Sequence, residues 1–319
     1  MNPVRELVTT RHNEMVDPLL NVWGVEIAIY LFLGGMVAGM MIILGYFLFR
    51  GRHKELRCSC ALLPGLSIVL LSSGMLALFL DLEHKWYFWN MYITFKPASP
   101  MSWGAWILLL VYPALLAAAL LRLPGSLKDP FPSIKSIVDR LQENPRFVRI
   151  IGTLNMILGA MLGIYTGVLL SSLGARPLWN SSLLGPLFLV SGLSTAAAFV
   201  HLIAKDPYER VLLAKADNGF LVTELFFIIL FITGLLSSTE VHVESARLLL
   251  NGTFAPVFLV FVVCLGIVIP LFIQSLAVSH RIRHVPAAPI MVIAGGFVLR
   301  LVIVYAGQAS HWVRISLLK

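Results

Sequence analysis

An all-α integral membrane protein of eight transmembrane helices, arranged as two four-helix bundles, is the fold class this sequence predicts. Its 319 residues are 58% apolar and only 13% charged, with a mean hydropathy of +0.87, which lies far outside the range of a soluble domain. Eight apolar runs of about 20 residues fall at 25–49, 61–80, 103–121, 148–173, 184–203, 218–238, 254–278 and 289–306, each long enough to cross a bilayer. Leu31-Phe32-Leu33-Gly34-Gly35 in the first run is echoed by Leu187-Phe188-Leu189 and then Ser191-Gly192 in the fifth, an offset of 156 residues and close to half the chain. Four spans per half imply a parallel repeat about an axis along the membrane normal. The expected organisation is an outer tail over 1–24, a first bundle over 25–173, a second over 174–306 and an outer tail over 307–319.

Fifteen of the 24 Lys and Arg residues fall in the loops of one face, eight on the other, and Arg300 lies inside the last span. Basic loops stay inside, so both termini are expected outside. The net charge of +8 is mostly this bias; it favours contact with anionic lipid and gives no reason to invoke nucleic acid. The first span is too long, and too far from the start, for a cleaved signal peptide. Three cysteines, Cys58, Cys60 and Cys264, supply no disulfide framework and no CxxC for an iron-sulfur cluster, and Cys58 with Cys60 falls short of a metal ligand set.

The first span opens with Trp23, suited to the interface belt, then Glu26 and Tyr30 four residues apart on one face near the outer end. Gly35 and Gly39 make a close-packing face. An acid just inside a span is a functional candidate by default. The second span ends at Asp81 and runs into a segment of Glu83, His84, Lys85 and four aromatic residues. Belt packing explains the aromatics, whereas Asp81 with His84 three residues on can pass protons near neutral pH. The third span enters through Ser102 as N-cap and Trp103.

The longest inner loop carries Ile134, Ile137, Val138 and Leu141 at helical spacing, predicting a short amphipathic helix flat on the inner surface. The fourth span contains Gly159, Gly163 and Gly167 on one face, a stripe that lets a neighbouring backbone come close. Tyr165 and Thr166 sit within the same turn as Gly167, with Tyr165 about 12 Å below the outer end at Leu173 by the helical rise per residue. A phenol at that depth either bonds to a neighbouring helix or lines a cavity. His201, at the inner end of the fifth span, has no facing histidine in another span, which argues against haem. Glu240, His242 and Glu244 alternate like a ligand set and read better as a solvated outer loop. Arg300 near the bilayer centre needs an acid or carbonyl partner, with Glu224 the first candidate; those two and Asp206 read either as an inner proton path or as a buried ion pair.

Four stretches together resemble the NrfD/PsrC family of quinone-reactive membrane subunits: residues 23–39 (WGVEIAIYLFLGGMVAG), 81–106, 163–192 with its YTGVLLS and PLW segments, and 295–308 (GGFVLRLVIVYAGQ). The resemblance implies eight helices in two bundles, and a quinone site near the outer face of a bacterial inner membrane with both termini periplasmic. It also implies a menaquinone or ubiquinone, no haem or iron-sulfur cluster in this chain, and a periplasmic ferredoxin-like iron-sulfur subunit leading to a terminal reductase or cytochrome subunit. Carried over by residue, Tyr165 donates to a quinone carbonyl, and Glu26 occupies the polar position opening the first span. Tyr30, Thr166 and Trp103 complete the quinone-binding set, and Asp81 with His84 forms the proton-exchange segment. Two other readings stand beside this one. A secondary transporter shares the repeats and buried charges but would concentrate its polar residues at the midplane; a passive anchor would need none of them.

Overall fold

The structure is a computed structural model that describes residues 23–51, 59–82, 84–122, 132–174, 176–204, 207–279 and 285–311. Among these described residues the regular structure is all helical, with eight helices long and apolar enough to span a membrane. These are α1 (Val25–Phe49), α2 (Ser59–Asp81), α4 (Pro100–Leu121), α6 (Pro145–Ser171), α7 (Leu184–Ile203), α8 (Pro207–Leu236), α10 (Val257–Val278) and α11 (Ala287–Ala309). Shorter helices α3 (Asn90–Ile93), α5 (Pro132–Glu143) and α9 (Glu240–Leu250) lie in the connections. The amphipathic inner helix expected from sequence is α5, which packs on α4 and α6.

The helix α1 is the hub. Its most apolar stretch is 72% buried, more than that of any other span. It packs against α2, α6, α7 and α11, while α4 bridges α2 to α6 and α10 bridges α8 to α11. Lipid tails are as apolar as leucine, so close backbone approach has to supply the attraction between spans. The glycine stripe of α6 does this: a Cβ at Gly159 would sit 2.8 Å from the Ala38 carbonyl oxygen, and one at Gly163 2.6 Å from Leu189 Cδ1. Gly192 of α7 lies against the Gly35 carbonyl of α1, so the echoed segments of the first and fifth spans touch one another.

At one end the chain's first and last spans are clasped. Gln308 accepts from the Trp23 amide at 3.1 Å and donates to its carbonyl at 2.9 Å. Trp179 stacks on Trp23 at 5.1 Å and gives its indole N–H to the Ile303 carbonyl at 2.8 Å. Arg176, fully buried, donates to the Ser310 carbonyl at 2.8 Å. A buried arginine and tryptophan are tolerated because each donor used here meets a carbonyl.

Three expectations are corrected. The sixth span starts at Pro207 rather than 218, because Glu209 and Asp217 are buried on the protein-facing side of a longer helix. Residues 240, 242 and 244 belong to α9, an amphipathic helix in which His242 is buried and pairs with Thr239 Oγ1 at 2.7 Å, so their alternation has no ligand meaning. Ser99, not Ser102, precedes α4, since Pro100 with its fixed φ and missing N–H suits the first helical position. Ser102 instead accepts from the Lys96 amide at 3.0 Å and holds the incoming loop.

Candidate functional site

An open apolar cleft lies near the clasped end, formed by α1, α2, α3, α4 and α6. Three tyrosines face it, Tyr30 from α1, Tyr92 from α3 and Tyr165 from α6, among Met75, Phe88 and Gly104. Tyr165 is placed by the way α6 meets α4. Asn155, buried, donates to the Ala114 carbonyl at 3.3 Å and fixes α6 against α4. Gly104 then leaves the space the Tyr165 ring fills, since a Cβ there would overlap the phenol. Tyr30 is one helical turn below Glu26 and is 2% exposed; Tyr165 is 7% exposed. Among the described residues, neither phenol oxygen makes a hydrogen bond. Buried polar groups normally find a partner, so two unpaired phenols facing one apolar cleft are the exception that calls for an explanation.

The roof of the cleft is the segment after α2. Phe88 packs edge-to-face on Phe79 at 5.9 Å, and Phe95 packs on both Trp103 and Trp106. Trp103 donates its indole N–H to the Pro97 carbonyl at 2.8 Å. Part of the aromatic cluster therefore holds this roof in place as well as suiting an interface. Burial, and then neighbouring Tyr112, push the Tyr92 phenol above its ordinary range, so it stays a donor at neutral pH.

The sequence-derived site residues fall into distinct places. Tyr165 and Tyr30 meet in the cleft and interact electrostatically. Glu26 and Asp81 come close enough for their charges to interact, Asp81 lying between the cleft residues Phe79 and Leu82. His84 is exposed at the start of the 3-10 turn Lys85–Tyr87. Thr166 is buried, with its hydroxyl on the Gly163 carbonyl at 2.7 Å, and lies outside the cleft lining. Trp103 is half-exposed and braces the roof, also outside the lining. Asp206 lies outside the described residues.

A second polar cluster sits at the junction of α1, α7, α8 and α11. Arg300 donates to Ser191 Oγ at 2.5 Å and to the carbonyls of Gly296 and Phe188 at 2.9 and 3.0 Å, with its guanidinium 5.2 Å from the Phe188 ring centre. Gly35 opposite leaves it room. Glu224 lies across Ser191 and acts on the guanidinium through charge, so carbonyls are the direct partners and the carboxylate the more distant one. Seven residues earlier on the same helix, Asp217 is fully buried, accepting from Ser194 at 2.7 Å and Gln274 at 2.8 Å. Sequence reading misses Asp217, Tyr92 and Gly104. The signal for Asp217 is its i, i+4, i+7 register with Leu221 and Glu224.

Gly104→Val is expected to push Tyr165 out of the cleft while the eight spans persist. Ligand affinity at the cleft then falls roughly tenfold or more, the loss of an aligned hydrogen bond plus the blocked volume, with unchanged helical circular dichroism as the control.

Eight packed spans, a tyrosine-lined cleft near one end and a buried charge cluster define a multi-pass membrane protein with an internal polar site. A family model described as "Polysulphide reductase, NrfD" matches residues 11–311, and the chain belongs to that family. Its curated relatives include the Protein NrfD homolog of Haemophilus influenzae, 29% identical over 309 residues, covering 91% of this chain and 95% of that one. The C subunit of polysulfide reductase from Wolinella succinogenes is 29% identical, covering 90% and 94% of the two sequences. Protein NrfD of Escherichia coli is 30% identical, covering 91% and 96%.

Proposed function

We propose that this chain is the quinone-reactive membrane subunit of a respiratory oxidoreductase complex, exchanging electrons between the quinone pool and an iron-sulfur subunit docked on the periplasmic face. The observation that carries this reading is the pair of unengaged phenols, Tyr30 and Tyr165, in an apolar cleft. The cleft fits the ligand chemically: phenol donors suit carbonyl oxygens, and the apolar walls suit a ring and its isoprenoid tail. A quinol supplies two electrons and two protons.

Tyr165 and Tyr30 hold carbonyl oxygens by hydrogen bonds, and Tyr92 closes the third side. Asp81, beside the cleft and in the field of Glu26, takes the two released protons in turn, and exposed His84 passes each to water. The roof excludes bulk water from the ring. The basic bias of the opposite face supports a bacterial inner membrane location with both termini periplasmic. The quinone site lies among α1, α2, α4 and α6, the first four spans, and the proposed division into two four-helix bundles falls between α6 and α7, which pack on each other across it.

Equilibrium binding of a short-tailed naphthoquinone to the purified protein tests this. Saturable binding is expected, with the dissociation constant raised roughly tenfold by Tyr30→Phe, the worth of one well-aligned hydrogen bond. Binding that is non-saturable, or indifferent to Tyr30→Phe, contradicts the reading.

A further inference from the structure

A second apolar groove opens toward the opposite end of the molecule. It is lined by Ile42 and Tyr46 of α1, Met156 of α6, Leu193 of α7, and Leu212 and Ala216 of α8, among others. It thus lies on the seam where the first four spans meet the second four. Ile42, Tyr46 and Arg50 recur at four-residue spacing on one face of α1, and the Arg50 guanidinium sits over the Tyr46 ring at 5.7 Å. From Ile42 to Arg50 the helical rise gives about 12 Å. That is close to the hydrocarbon depth of one leaflet, about 15 Å.

Basic residues continue the helix faces that line the groove. Arg149 lies two turns from Met156 on the same face of α6 and is exposed, as are Arg50 and Lys215, the neighbour of Ala216. The acidic residues of this part of α8, Glu209 and Asp217, are buried within the protein. Among the lining residues the Tyr46 hydroxyl is the one side-chain hydrogen-bonding group, which leaves a quinone's two carbonyls underserved.

We propose that this groove is a binding site for one anionic phospholipid, its acyl chain along the seam between α6 and α8 and its phosphate held by Arg50 and Arg149. The arginines match a phosphate by charge and by their planar donor fork. The acyl chain fills apolar space that α1 and α7 floor, joining the two halves of the molecule from the cation-rich face. The inference is independent of the quinone reading.

The test uses the full-length protein, delipidated in detergent and titrated with phosphatidylglycerol or with phosphatidylcholine of the same acyl chains, reading the thermal midpoint. Phosphatidylglycerol is expected to raise the midpoint at roughly tenfold lower concentration than phosphatidylcholine. The surface variant Arg50→Gln/Arg149→Gln should erase that difference while keeping the lipid-free midpoint. Ala216→Trp, which fills the groove, should remove the response to both lipids. Equal responses to the two lipids, a response that survives Arg50→Gln/Arg149→Gln, or native mass spectra of the undelipidated protein carrying a quinone or a protein helix displaced by Ala216→Trp would each overturn the proposal.

Discussion

Tyr165→Phe is expected to leave the protein folded and inserted while lowering quinol-dependent electron transfer by roughly tenfold or more. The ring remains, so the packing over Gly104 and against the cleft walls is kept. What goes is one O–H donor, and it goes at a position with no competing protein partner among the described residues. A hydrogen bond that is both aligned and shielded from water contributes about 1–1.5 kcal/mol, more when charge develops on its acceptor. Turnover falls further than affinity if the phenol also steadies charge on the carbonyl oxygen. Steady-state quinol oxidation in membranes, with the subunit quantified by immunoblot, separates this from loss of the protein; wild-type turnover in the variant removes Tyr165 from the site.

The second large effect concerns stability. Arg300→Leu should destabilise the protein by about 3–5 kcal/mol, since it leaves the Glu224 charge buried without its cation and strips the Phe188 carbonyl of its donor. Removing both charges, as Arg300→Leu/Glu224→Leu, should recover much of that loss, because an apolar pair in lipid-surrounded protein carries no desolvation cost. Unfolding in mixed detergent micelles reads both variants. A silent Arg300→Leu would mean that Glu224 is neutral there, and that the cluster is held by the carbonyls and Ser191 alone.

Hydropathy marks the spans because each must satisfy its backbone internally in lipid, and the glycine stripe of α6 is readable because four-residue spacing puts small residues on one face. The start of α8 is not readable that way. Glu209, Arg210, Lys215 and Asp217 lower the local hydropathy, yet the helix continues through them and Asp217 is covered by Ser194 and Gln274 from other spans. Tyr165 is legible as a polar group at depth. Its neighbour Thr166 is equally so, but a hydroxyl on the next residue points a third of a turn away and satisfies itself on the Gly163 carbonyl. Gly104 has no local signal at all: its role is the absence of a Cβ opposite a ring sixty-one positions along the sequence. Trp103 carries the expected aromatic signature, and tertiary contact with Pro97 and Phe95 turns it to bracing the roof.

The proposed quinone site is the cleft bounded by Tyr30, Tyr92 and Tyr165. Photolabelling the protein in membranes with an azido-naphthoquinone, followed by peptide mapping, tests it most directly. Label is expected on the cleft-lining parts of α3, α4 and α6, around Met91, Met101 and Tyr165, displaced by excess unlabelled quinone and lost in Gly104→Val. Displaceable label concentrated instead on Tyr46, Met156 or Phe220, with the cleft unmarked, would contradict it.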